Sequence, residues 1–449
     1  TQKLNEPLQG SFDGIGVQFN MLEDTLIVLQ PITKGPSEKV GILAGDRIIS
    51  VNDTAIAGVK MERDEIVRRL RGPRGSHVKL GIVRSGIDET VYFDVTRDKI
   101  PVHTLDAAYM MTPQIGYIRF SSFGATTHQE VCEAIERLQK SGMKDLVIDL
   151  QGNGGGYLQA AGDLGGEFLE KGDMIVFTRG RAVPEQEFRS SGRGLFRQGR
   201  LVVLVDEYSA SAAEILSGAI QDQDRGTIIG RRTFGKGLVQ RPIELPDGSM
   251  IRLTTARYYT PAGRCIQKPY TKGDQKSYAQ DVVNRYNRGE LTSADSIHFP
   301  DSLRYTTLRK GRTVYGGGGI MPDIFVPIDT TRYTKWHREL SAKGVIINAN
   351  LKYIDKNRKM LGKKYKTFDD FNASFEVGDD MVAILDHLAA EAKVQPKDDE
   401  ERRKALPAIK LQLKALIARE LWDMSEYFQI INSTDPVVTA ALEHLTSTK

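Results

Sequence analysis

Short apolar runs broken by turn residues fill the first hundred positions. Residues 16–19, 26–29, 47–51, 78–83 and 91–95 read as strands, with Asn52-Asp53 and Ser85-Gly86 as turn signals between them. One helical period intervenes, because Ile66, Val67 and Leu70 share a face of residues 63–70. The pattern changes at His103. Apolar strands at 115–120, 146–150, 174–177 and 201–205 alternate with helix-spaced segments at 130–138, 160–168 and 214–221, which predicts an α/β layout. Beyond about 331, Leu, Ile and Ala recur at helical spacing among charges over 381–392 and 402–431, with 395–401 as a charged linker. The expected organisation is a remnant at 1–10, a β-rich α+β unit at 11–98, an α/β core at 99–330 and a helical region at 331–449.

Two junctions of the α/β region carry chemistry. Ser211 sits in Tyr208-Ser209-Ala210-Ser211-Ala212-Ala213-Glu214, between a strand and a helix. Lys236 sits in Thr233-Phe234-Gly235-Lys236-Gly237-Leu238-Val239-Gln240. A serine hydroxyl is a poor nucleophile until a base takes its proton. Lysine is that base only when neutral, and at its reference pKa of about 10.4 roughly one in a few thousand is neutral at pH 7. Burial lowers a lysine by up to about 3–5 units, and Phe234, Leu238 and Val239 offer apolar neighbours. Gln240 can hold the amine through its side-chain oxygen. A straight strand would separate the two by about 13 Å, so that contact needs a bend, which Gly237 permits.

Each residue also has a plainer reading. Ser211-Ala212-Ala213-Glu214 fits a capping box, with Ser211 as N-cap and Glu214 at N3. Lys236 fits a surface lysine in a glycine-flanked turn. A nucleophilic Ser211 would instead keep its hydroxyl free and face the Ala212 N–H and the positive helix end toward an oxyanion. Gln151-Gly152-Asn153-Gly154-Gly155-Gly156 follows the strand near 145–150. Backbone N–H groups there can point at a developing anion, or the glycines form an ordinary turn. A phosphate loop is excluded, because no Lys-Ser or Lys-Thr follows them.

Residues 209–240 resemble the C-terminal processing, or tail-specific, peptidases. Their pattern is S-A-S-A-[SA]-E, a helix ending near D-x-x-R, then T-F-G-K-G-x-V-Q; here it occupies 209–214, 222–225 and 233–240. The resemblance implies Ser211, not Ser209, as nucleophile, Lys236 as base and Gln240 as the lysine's support. The family's D-L-R-x-N-P-G-G loop falls on 149–156, with Gln151 for the arginine and Gly154 for the proline. It implies one oxyanion amide from Gly155 or Gly156, beside that of Ala212. Segments 250–264 and 316–323 match as well. Gly14-Ile15-Gly16-Val17 resembles the G-Φ-G-Φ loop with which PDZ domains hold a peptide carboxylate, and 35–52 resembles the small helix and next strand of protease PDZ domains. The plainer reading of those four residues alone is a glycine turn. PDZ recognition is strand addition along a sheet edge. Arg71, after the 63–70 helix, is a candidate for coupling tail binding to catalysis, or else a solvent-facing helix-end arginine.

The resemblance covers about 11–330. It implies a spiral α/β core related to the crotonase and Clp-protease folds, with an N-terminal PDZ domain and a helical C-terminal region. It implies a serine endopeptidase working through an acyl-enzyme on protein or peptide substrates with free C-termini. No cofactor and no metal are expected, and the location implied is the periplasm or cell envelope.

Composition agrees with that frame. A chain of 449 residues suggests about three domains, and 40% hydrophobic residues suit a globular fold. The net charge of +4 and the absence of zinc-finger or aromatic-basic patterns argue against a nucleic-acid partner. Cys132 and Cys265 form no metal motif; Cys132 reads as a small core residue of an amphipathic helix, and His128 as a surface or packing residue. The seven histidines form no evident triad. No run approaches the roughly 20 apolar residues of a membrane span, and no signal peptide is present. The chain starts at Thr1 and reads as a trimmed form. Two other classes compete. A PDZ scaffold with an inert core would lack Ser211, Lys236 or Gln240, and all three are there. A crotonase-type acyl-CoA enzyme would leave the paired motifs and the PDZ unit unexplained. The C-terminal helices are expected to pack on the core or to serve an adaptor or self-association.

Overall fold

The computed structural model describes residues 8–447. Residues 1–7 of the expected 1–10 remnant, and the last two of the chain, lie outside the described residues. Two compact units form, and they do not follow chain order: 11–102 group with 331–431, and 8–10 with 103–330 and 432–447.

In the first unit, β1 (Ser11–Gly14) pairs with β8 (Asp98–Pro101). The strands β2 (Val17–Leu22), β3 (Thr25–Pro31), β4 (Arg47–Val51), β6 (His77–Val83) and β7 (Val91–Thr96) make an antiparallel sheet in that order, and β5 (Thr54–Ala55) pairs with β4. Helix α1 (Pro36–Lys39) is one turn, and α2 (Arg63–Leu70) covers the sheet with Ile66 and Leu70. Leu26, Val28, Ile48, Val51, Val78, Leu80 and Ile82 supply the sheet's share of this core. Burying each contributes about 1.5–3 kcal/mol. Strand β2 stands at an edge of the sheet. The same unit holds a second apolar core, formed by helices in the 331–431 stretch. Ion pairs of Arg47 with Asp355, at 2.6 Å, and of Lys352 with Glu23 join the sheet to these helices.

The second unit is built on a six-stranded sheet. Its strands are β9 (Leu105–Met110), β10 (Ile115–Phe120), β11 (Asp145–Asp149), β14 (Leu201–Val205), β15 (Thr227–Gly230) and β20 (Ile324–Phe325), adjacent in that order. All pairs are parallel except β9 with β10. Every residue of β11 and β14 is buried, as continuous apolar runs in a covered parallel sheet should be. Helices α3 (Thr127–Lys140), α4 (Leu158–Phe168) and α5 (Ala212–Asp222) cover it. A second, antiparallel sheet has the order β13 (Gln186–Arg189), β12 (Met174–Arg179), β17 (Met250–Tyr259), β16 (Leu238–Glu244). A short hairpin, β18 (Arg304–Thr306) and β19 (Thr313–Tyr315), completes the strands, and α6 (Gln275–Asn287) follows β17.

The remaining helices are α7 (Lys335–Ala342), α8 (Val345–Lys364), α9 (Phe368–Ser374), α10 (Asp379–Glu391), α11 (Asp399–Leu421), α12 (Met424–Asn432) and α13 (Pro436–Ser447). The helical stretch expected over 402–431 is two helices. Trp422 leaves helical geometry at φ −126°, ψ −96°, and α12 starts at Met424. The linker is shorter than 395–401, because the Asp398 side chain accepts the Glu401 N–H and starts α11 at once. Among the described residues no helix is long and apolar enough to cross a membrane.

Candidate active site

The chain leaves β14 at Val205 and turns on Asp206. The Asp206 Oδ1 accepts the N–H groups of Tyr208, Ser209 and Gly152, each at 3.0 Å. Ser209 is fully buried; its hydroxyl donates to the Leu150 carbonyl at 2.8 Å and accepts the Asp206 N–H at 2.9 Å. These bonds fasten the end of β14 to the end of β11. In open α/β sheets the carboxyl ends of parallel strands are where ligands bind.

Ser211 follows at φ 58°, ψ −113°, a backbone geometry that costs a non-glycine residue of order 1–3 kcal/mol. Two contacts hold it there. The Glu214 carboxylate accepts the Ser211 N–H at 2.9 Å, which is Glu214's half of the capping box. Gly155, at φ 92°, presses against the turn: a Cβ on it would stand 2.7 Å from Ser211 Cβ and 2.8 Å from Ala212 N. The Tyr258 phenol lines the same cleft as Ser211. Burial pushes that phenol up, and the nearby Ser211 side chain opposes the rise.

Glu214 does more than cap α5. It is fully buried, and its two oxygens accept four donors: Ser211 N–H, Lys236 N–H at 2.8 Å, Gly235 N–H at 2.7 Å and the Thr233 hydroxyl at 2.5 Å. One carboxylate thus fixes the Ser211 turn against the Lys236 loop. Burial pushes its pKa up, and all four donors pull it back. The Phe234 N–H donates to the Ser209 carbonyl at 3.0 Å, a further bond between the two segments. Lys236 is half-buried, and among the described residues its ammonium has no hydrogen-bond or ion-pair partner.

The glycine loop is organised by Asn153, which occupies the asparagine position of the D-L-R-x-N-P-G-G pattern, where the sequence assigns it no role. Its amide nitrogen donates to the Phe120 carbonyl at 2.8 Å, and its Oδ1 accepts the Gly155 N–H at 2.9 Å. Gly155 is therefore already engaged as a donor. Among the described residues, the N–H groups of Ala212, Gly154 and Gly156 donate to no protein acceptor.

Ser211, Lys236, Gln240, Gly155 and Gly156 line one cleft of about 400 Å³, with Leu238, Arg252 and Tyr258. Gln240 reaches the same cleft as Lys236 through a bulge between Val239 and Gln240, where the pairing of β16 with β17 shifts register. The bend is thus there rather than at Gly237, whose N–H is bound by Gln267 Oε1 at 2.9 Å.

The other expected site residues belong to the first unit. Gly14 ends β1, Gly16 has φ 74°, and Val17 opens the edge strand β2. The Ile15 carbonyl is held by the Ser37 N–H at 3.0 Å and its hydroxyl at 2.6 Å. Among the described residues the Ile15 and Gly16 N–H groups donate to no acceptor. Arg71 lies over the Phe12 ring, 4.4 Å from its centroid.

Residues 114–277 match the model of peptidase family S41, residues 14–99 a PDZ domain, and residues 336–423 a family of unknown function, DUF8443. The carboxyl-terminal-processing protease of Synechocystis sp. is 35% identical over 303 residues, 66% of this chain and 69% of that protein. The chain belongs to the carboxy-terminal processing peptidases. The carboxy-terminal processing protease CtpA of Bacillus subtilis is 33% identical over 304 residues, 64% of this chain and 63% of that protein. The corresponding protease of Bartonella bacilliformis is 38% identical over 269 residues, 59% of this chain and 61% of that protein. This carboxy-terminal processing peptidase thus spans less than two thirds of the length of those last two relatives. It joins a PDZ domain and an S41 peptidase domain in a mixed α/β chain with a helical C-terminal region.

Proposed function

We propose that this peptidase is a serine endopeptidase with Ser211 as nucleophile and Lys236 as general base, acting on proteins whose free C-termini its PDZ domain holds. The observation that carries this reading is Glu214. It binds the backbones of Ser211 and Lys236 with one buried carboxylate and so fixes both residues on one cleft. In the reaction, the Lys236 amine takes the hydroxyl proton as Ser211 Oγ attacks the scissile carbonyl carbon. The oxyanion is received by the Ala212 N–H at the start of α5 and by the Gly156 N–H. Gly155 is set aside as that donor because its N–H serves Asn153. Gly154 stands where the family has a proline, which has no N–H to give. The lysine then returns its proton to the leaving amine, and water hydrolyses the acyl-serine. Gln240, which lines the same cleft, is the lysine's support in this reading.

The test is hydrolysis of an unfolded protein by Lys236→Ala and Lys236→Arg. Both should lose activity while keeping the wild-type circular dichroism spectrum, because a guanidinium does not become a neutral base near pH 7. A Lys236→Arg enzyme with near wild-type kcat would overturn the base assignment.

A further inference from the structure

Helices α3 and α4 carry a second group of reactive side chains. His128 and Cys132 are four residues apart on α3 and so share a face. Glu167 comes from the last turn of α4. His128 Nε2 stands 2.9 Å from Glu167 Oε1 and 3.5 Å from Cys132 Sγ, and one ligand atom from each residue falls within 4.8 Å of the others. None of the three lines the Ser211 cleft.

Two readings compete for such a cluster. A catalytic triad needs the imidazole to use one nitrogen for the thiol and the other for the carboxylate. Here Nε2 faces both partners, so the imidazole bridges nothing. Three ligand atoms converging on one point is the arrangement a metal ion requires. Zinc bonds of about 2.0–2.1 Å to nitrogen or oxygen and 2.3 Å to sulfur, at tetrahedral angles, set N···S near 3.5 Å and N···O near 3.3 Å. The sulfur spacing already matches, and the carboxylate needs to withdraw by only about 0.4 Å. The other Glu167 oxygen is anchored by the Leu195 N–H at 2.8 Å, the kind of outer-shell bond that orients a ligating carboxylate. A thiolate and an imidazole in the set favour zinc-class ions over calcium or magnesium. His128 is 39% exposed at its side chain, which leaves a path for the ion and room for water as a fourth ligand.

We infer that His128, Cys132 and Glu167 form a binding site for one divalent cation of the zinc class, which clamps α3 to α4. Because α4 begins two residues after Gly156, the ion would brace the helix that follows the glycine loop.

The experiment uses the full chain, reduced and stripped of metal, titrated with cobalt(II) chloride. One equivalent should give a near-ultraviolet thiolate-to-cobalt charge-transfer band that zinc chloride then abolishes. The band should persist in Cys265→Ser and vanish in Cys132→Ser. Zinc affinity in His128→Ala should fall by more than the roughly 10–100-fold that outer-shell changes cost. A readout that needs no variant is alkylation of the wild-type chain by iodoacetamide with peptide mapping. One equivalent of zinc should slow labelling at Cys132 and leave Cys265 unchanged. No charge-transfer band with the wild-type chain, a band that follows Cys265, or equal labelling of Cys132 with and without zinc would each overturn the site.

Discussion

Glu214 offers two oxygens to four donors, and a glutamine in its place offers one oxygen and an NH₂ group. Glu214→Gln would set that NH₂ against two of the N–H or O–H groups it now binds. Each buried group left unsatisfied costs about 1–3 kcal/mol. A shift of the Ser211 turn against the Lys236 loop of about 1 Å is enough for roughly a hundredfold loss. We expect the variant to melt lower and to lose kcat with KM little changed; steady-state kinetics equal to wild type would remove Glu214 from its positioning role. Ser209 separates structure from chemistry. Ser209→Ala leaves Ser211 in place but strips the bonds to Leu150 and Asp206, so urea melts should show a loss of about 1–3 kcal/mol with hydrolysis retained by the folded fraction. If the folded Ser209→Ala enzyme were inert and Ser211→Ala active, the nucleophile would be misassigned.

Asp106 gives a pH test at the same scale. Burial pushes its carboxyl up to about 6, with Arg119 opposing. The native state then keeps a proton that the unfolded chain releases near its ordinary value of about 3.9. The contribution of Asp106 to stability is therefore complete at low pH and falls as pH rises from about 4 to about 6. Asp106→Asn should remove that decline. Denaturant melts of the two proteins that run parallel across this window would contradict the shift.

At the scale of elements, periodicity carries far. Apolar runs delimit β10 and β14, and the helical face of Ile66 and Leu70 delimits α2, because burial on one face enforces each pattern. The segments that carry Ser211 and Lys236 are legible as strand-to-helix and loop segments for the same reason. What the sequence hides is partnership across distance. Glu214 reads as a local cap, and nothing local says that three of its four donors come from about 20 residues further on. Asn153 is marked by the loop pattern, but its role in holding Gly155 and Phe120 appears only in its two bonds. The break at Trp422 is equally silent, since leucine and isoleucine spacing runs through it. Strand β2 carries its own prediction. Its exposed edge and the unused Ile15 and Gly16 N–H groups fit strand addition by a peptide tail. Amidating a free-acid peptide with an apolar last residue should weaken binding to the Ser211→Ala chain by roughly one to two powers of ten, the loss of a charged hydrogen bond. Equal affinities in calorimetry would mean that the loop reads no terminus.

At the scale of the whole molecule, the chain returns on itself. The 331–431 helices group with the PDZ sheet rather than with the peptidase core that precedes them in sequence. Their apolar core and that of the sheet are separate clusters, and ion pairs stand between them. Partly exposed pairs contribute about 0.2–1 kcal/mol. A double-mutant cycle on Arg47→Ala and Asp355→Ala should return a coupling in that range that fades at 1 M salt, where screening reaches about 3 Å. A larger, salt-independent coupling would show a joint of another kind. Ser211 is the residue on which the proposed chemistry turns. The most direct measurement is mass spectrometry of an unfolded protein incubated with the wild-type chain and with Ser211→Ala, with rapid acid quench. Wild type should yield cleaved products and a transient acyl adduct mapped to Ser211, and Ser211→Ala should yield neither. Cleavage by Ser211→Ala at the wild-type rate, or an adduct on another residue, would contradict it.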